Sequence, residues 1–219
     1  MNSKRTLIFW LSYVVAVLAA VWVVWIYPDL AGTFPLHWNA DGIPDRFAAK
    51  SQLLWLAALV IGIPLFMDLL PRFDPRRKNY DYFSTSYQYM KLGSTAFMAF
   101  ILVFSIQSGR SQEQILSTRY MMAGMGLLFM VLGNYMTKVR SNFFVGIKTP
   151  WTLSSDEVWR KTHRVGGWGF FVTGLVIMAA GFVLTGKPLF NLVIGLILLV
   201  TVGTYLYSYL LYRSIGRSS

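Results

Sequence analysis

Cysteine is absent from the 219-residue chain, which excludes disulfides, thiolate metal sites and cysteine nucleophiles together. Other reactive side chains are scarce: there are two histidines and nine acidic residues, and charged residues make up 13% of the total. What is abundant is apolar. Hydrophobic residues are 55% of the chain and the mean hydropathy is +0.50, more than a soluble domain of this size hides in one core. The excess must face lipid.

Crossing a hydrocarbon layer of roughly 30 Å takes about 20 mostly apolar helical residues. Six nearly uncharged runs approach that length: 6–27, 52–70, 92–107, 120–137, 168–185 and 189–212. The third needs the flanking Tyr89, Met90 and Lys91 to span. With no low-complexity stretch and no internal repeat, the chain reads as a single membrane domain over 1–219. The predicted fold is an all-α integral membrane protein, a bundle of six transmembrane helices.

Cytoplasmic loops retain lysine and arginine during insertion. With the amino terminus inside, only Arg46, Lys50, Arg110, Arg119 and Lys187 fall outside, and the other 15 of the 20 basic residues, Lys91 among them, fall inside. That bias predicts that both termini are cytoplasmic. The first run ends in Trp22, Trp25 and Tyr27 without a small-residue cleavage site, so it reads as a retained anchor. The net charge of +11 gathers at helix ends, where anionic head groups lie, which makes membrane lipid rather than nucleic acid the expected partner.

Three connections are long enough to carry function. The first inner loop is basic and proline-broken at 71–78, then turns aromatic at Tyr80, Tyr82, Phe83, Tyr87 and Tyr89, the pattern of a charge anchor followed by an interfacial aromatic belt. The outer loop holds an Asp41-Gly42 turn signal after an extended stretch, with Pro44 fixing the chain beyond it. Its aspartates are expected to bond to nearby amides, and His37, Asp41 and Asp45 make only a weak divalent-metal set. His37, Trp38, Asn39 and Asp45 are instead candidates for a binding surface met from outside.

The second inner loop is more distinctive. Ser154 and Glu157 have capping-box spacing, so a short helix is predicted to start near Ser155. Along it Trp159 and His163 share one face and Arg160 and Arg164 another. With Trp151 nearby, this predicts a short interfacial helix before the fifth span, dipping its indoles toward the acyl chains and holding its basic side at the phosphates. Gly166, Gly167 and Gly169 then permit close helix contact.

The segment Gly146-Ile147-Lys148-Thr149-Pro150-Trp151-Thr152-Leu153, followed by Val158-Trp159 and Thr162-His163-Arg164, resembles the signature of the SdpI family of bacterial membrane proteins. Pro35 to Asn39, Gly42 and Pro44-Asp45 resemble a motif of the uncharacterised domain that often forms the amino-terminal half of such proteins. On this resemblance residues 1–90 are the amino-terminal part and 91–219 the SdpI-like part. Lys148 departs from the arginine common at its position, keeping charge but losing bidentate geometry. The resemblance implies a multi-pass protein of the bacterial cytoplasmic membrane that gives immunity to a secreted, membrane-active toxin. It also implies signalling through a sequestered cytoplasmic repressor as an additional role. Lys148, Thr149, Pro150, Trp151, Thr152, Trp159, His163 and Arg164 are its inner binding candidates.

Two other classes compete. An intramembrane hydrolase needs carboxylates or histidines converging inside the bundle, and the sequence offers only Asp68 within a span, so no enzymatic activity, catalytic residue, cofactor or metal is expected. A small-molecule or ion transporter is the stronger alternative, because Gly62 and Pro64 could kink the second span beside Asp68.

Overall fold

The computed structural model describes residues 3–30, 32–110 and 114–216. Helix α1 (Ser3–Ile26) leads through a short 3-10 turn to strands β1 (Thr33–Trp38) and β2 (Pro44–Ala49), which pair antiparallel as a hairpin. Next come α2 (Ser51–Phe73), a second 3-10 turn at Arg77–Asn79, α3 (Tyr80–Arg110), α4 (Gln114–Met136), α5 (Pro150–Ser154), α6 (Asp156–Val183) and α7 (Gly186–Gly216).

Helices α1, α2, α3, α6 and α7 are long and apolar enough to cross a membrane, so among the described residues five spans qualify rather than six. Helix α4 has 23 residues, about 35 Å of rise, but is interrupted by Arg119 and Asn134. Its partner explains its makeup. Gly126 and Gly133 on α4 face Gly174 and Gly167 on α6, so close that a β-carbon on Gly167 would lie 2.7 Å from the Gly133 carbonyl oxygen. Glycines seven residues apart on both helices form a seam that lets the two backbones touch. Of the glycines expected to permit close contact, Gly167 makes this seam.

The structure corrects four expectations. The hairpin adds strand to a bundle expected to be all-α. The third run extends back through α3 to Tyr80, giving 31 residues with a kink at Phe83, so it reaches spanning length. The aromatics at its start are not a lipid-facing belt: Tyr80, Phe83 and Tyr87 are buried with Val139 and Trp159, and only Tyr82 is well exposed. Finally, there is no separate short helix after Ser155, because residues 156–183 run as one helix. The short helix that exists, α5, precedes it.

Lys91, counted with the loop cations, is fully buried. Its ammonium bonds both oxygens of Asp68 at 2.8 and 3.0 Å and lies 4.0 Å from the centre of the Phe9 ring. The Tyr13 hydroxyl donates to the same carboxylate at 2.5 Å. One ion pair, its lysine fully buried and its aspartate partly exposed, thereby joins α1, α2 and α3.

Candidate functional site

Candidate residues gather at opposite ends of the bundle. At the basic end, Thr149 caps α5: its hydroxyl accepts from the Thr152 amide at 3.1 Å, and the Thr152 hydroxyl accepts from the Thr149 amide at 2.9 Å. The capping box is therefore Thr149/Thr152, not Ser154/Glu157. Ser155 caps α6 through the Val158 amide, and Glu157 pairs with Lys161 at 2.7 Å. Pro150 occupies the first turn of α5, where its missing N–H costs nothing. Thr149 also shares a 3.0 Å hydrogen bond with Ser208 of α7, and Trp151 packs against Tyr205 and Tyr209.

Trp159 and His163 stack with ring centres 4.0 Å apart, and both are buried rather than dipped into lipid. The indole donates to the Val139 carbonyl at 2.8 Å. His163 Nε2 accepts from the Ile147 amide at 2.9 Å, while Nδ1 faces the Trp159 carbonyl at 2.8 Å. An amide can only donate and a carbonyl only accept, so the imidazole is neutral with its proton on Nδ1. Gly146 has φ +115° and lies against this ring, where a β-carbon would collide with Nε2.

The first inner loop closes the knot. Asp74, buried, accepts from the amides of Arg76 and Phe143 and from the Tyr80 hydroxyl. Arg76 donates to Ser141 and, at 2.8 Å, to the Leu153 carbonyl. Asn142 turns the 140–145 backbone around its side chain, accepting from the amides of Phe144 and Val145. Sequence reasoning missed Asp74, Asn142 and Lys91, each of which bonds at least one partner far away in the chain: Phe143, Tyr80 and Asp68 respectively. Among the inner candidates Thr149, Thr152, Trp159 and His163 are thus engaged internally, and Lys148 and Arg164 remain exposed.

At the hairpin end, Asn39 organises the turn: its side-chain oxygen accepts from the amides of Asp41 at 2.9 Å and Ile43 at 3.0 Å. The expected role of the aspartates falls to this asparagine, while Asp45 bonds His37 at 2.6 Å. Among the described residues no three histidine, aspartate or glutamate side chains converge as a metal site requires. Gly42, at φ +76°, abuts Thr118 of α4, which seats the turn on the second half of the chain. Behind the turn lies a pocket of about 450 Å³ between β1 and helices α3, α4 and α7. His37, Trp38 and Asn39 form its polar wall, and Phe104, Met122 and Val193 belong to the apolar remainder. Trp38 packs against Phe104 with ring centres 5.0 Å apart and the planes tilted by 50°, and its buried indole N–H has no partner among the described residues.

These features define a multi-pass helical membrane protein with a β-hairpin between its first two span-length helices. The family resemblance holds: residues 138–208 match the SdpI/YfhL protein family, and residues 14–62 match a domain of unknown function, DUF1648. The Immunity protein SdpI of Bacillus subtilis (strain 168) is 22% identical over 208 residues, covering 95% of this chain and 97% of that protein. No solved structure matches the chain.

Proposed function

We propose that the chain is an immunity protein of the bacterial cytoplasmic membrane, with six spans and both termini cytoplasmic, which protects against a secreted, membrane-active toxin by engaging it at the hairpin pocket. The pocket itself carries this reading. It is apolar, lies behind an extended strand, and has at its wall an indole N–H without an acceptor among the described residues. A buried donor left unpaired costs about 1–3 kcal/mol, and a peptide carbonyl entering the pocket would recover that. Met121, Met122 and Met125 supply adaptable walls suited to an apolar side chain. Binding, not catalysis, is the proposed mode of protection. Tethering of a repressor, the additional role implied by the family, would fall to the opposite, basic end.

The test is survival of a toxin-sensitive bacterium expressing the chain, challenged with a panel of secreted peptide toxins. Survival against at least one is expected, with a marked loss in Trp38→Ala at equal membrane abundance. Full protection by that variant would move recognition away from the pocket. Reporter fusions at Gly42, Asn79, Gln112 and Asp156 should read outside, inside, outside and inside, Gln112 lying outside the described residues.

A further inference from the structure

A second cavity, at the basic end, lies apart from the hairpin pocket. It encloses about 660 Å³ between the start of α3, the 138–141 turn and the first turns of α6. Lys138, Arg140, Arg160 and Arg164 line it, with Asp156 as the only acidic residue in its wall. The ion pairs among the described residues are His37–Asp45, Lys91–Asp68 and Lys161–Glu157, so none of these four cations is neutralised by a carboxylate. Four like charges held on one rim repel one another, and an anion between them relieves that repulsion.

The cavity does not end at the charges. Thr137 and Arg164 also belong to a neighbouring groove of about 470 Å³, which continues between α4 and α6 past Gly133, Gly167, Trp168 and Phe171. On α6 the residues Arg160, Arg164, Trp168 and Phe171 follow at steps of four, four and three, so they form one stripe along the helix. From Arg164 to Phe171 this stripe descends about 10 Å toward the apolar part of the bundle. Trp168 is 63% exposed at its side. Cations at one end, and at the other a groove between α4 and α6 that runs from Thr137 and Asn134 to the apolar rings of Trp168 and Phe171, match a ligand with a phosphate head and a hydrocarbon chain.

We propose that this site binds one anionic glycerophospholipid, its phosphate held by Lys138, Arg140, Arg160 and Arg164 and an acyl chain lying along Trp168 and Phe171 over the Gly133–Gly167 seam. Arginine suits the head because its planar fork bonds phosphate oxygens in pairs. The acyl chain gains where the glycines leave the helix surface low. The lipid thereby bridges α3, the 138–141 turn and α6, the elements that also hold the buried knot.

The test is native mass spectrometry of the purified full chain with added phosphatidylglycerol, phosphatidylcholine or inorganic phosphate. One phosphatidylglycerol should be retained about tenfold more strongly than phosphatidylcholine, and inorganic phosphate in millimolar excess should not displace it. The double variant Arg160→Gln/Arg164→Gln should lose that preference, Trp168→Ala should weaken retention of both lipids, and Arg213→Gln should change neither. The melting temperature of each lipid-free variant, compared with the parent, separates lost binding from lost folding. Equal retention of the two lipids, an unchanged preference in the double variant, or displacement by inorganic phosphate alone would overturn the proposal. Restored preference in Arg160→Lys/Arg164→Lys, which keeps charge without the fork, would assign the effect to charge and not to arginine geometry.

Discussion

The two ends of the bundle spend their polar residues in opposite ways. At the basic end Asp74, Arg76, Asn142, Thr149, Thr152, Trp159 and His163 bond one another or nearby backbone. At the hairpin end Asn39 secures the turn, His37 bonds Asp45 in the open, and beside an apolar pocket the Trp38 indole N–H has no partner among the described residues. Density of unusual residues therefore marks a structural keystone at one end, whereas an incomplete set of bonds marks a receptive surface at the other. The seven residues named at the basic end are satisfied and have little left to offer a partner, although the buried Thr162 hydroxyl beside them has no partner among the described residues.

The sharpest way to break this contrast is Trp159→Ala. It removes a buried aromatic, the bond to Val139 and the stack on His163, and should cost about 3–5 kcal/mol, read as a large fall in melting temperature and membrane abundance. If the variant keeps parental stability but loses protection, the knot is a binding site and the contrast inverts. Next comes the ion pair. Asp68→Asn alone strands the buried Lys91 ammonium and should destabilise by about 3–5 kcal/mol, while Asp68→Leu/Lys91→Met should recover most of that in thermal melts. A double variant no better than the single would show that the charges do more than hold helices together.

A smaller effect is expected at the hairpin. Gly42→Ala forces a β-carbon at φ +76° against Thr118 and should cost about 1–2 kcal/mol, read as a modest drop in abundance with protection falling in proportion. The smallest is Lys148→Gln. Its exposed ammonium makes one 3.2 Å bond to the Phe144 carbonyl, so stability should move by less than about 0.5 kcal/mol in the same melts. A large loss of protection there, with stability unchanged, would return the signature loop to the role of binding surface.

Much of the architecture is readable along the chain, because spans and turns are local. Five of the six apolar runs lie in helices that qualify as spans, and the Asp41-Gly42 turn, the α6 start beside Ser155 and the shared face of Trp159 and His163 all follow from spacing within a few residues. The errors have a common physical origin. Tyr80, Phe83 and Tyr87 have the composition of an interfacial belt, and only the docking of residues 139–145 buries them. The spacing of Ser154 and Glu157 satisfies a capping box on paper, but Ser154 donates back to the Pro150 carbonyl inside α5, which leaves the cap of α6 to Ser155.

By itself, then, the sequence determined which segments are apolar enough to cross a membrane, where the chain turns and which helix faces form, since each depends on neighbours within one or two turns of backbone. The tertiary structure decided whether a given tryptophan meets lipid or core, which carboxylate Lys91 finds, and where cavities open. Lys91 and Asp68 lie 23 positions apart, and Phe143 and Asp74 lie 69 apart. Periodicity along the chain carries no record of such pairings. They arise when helices pack and desolvated polar groups must take whichever partner the packing brings within reach.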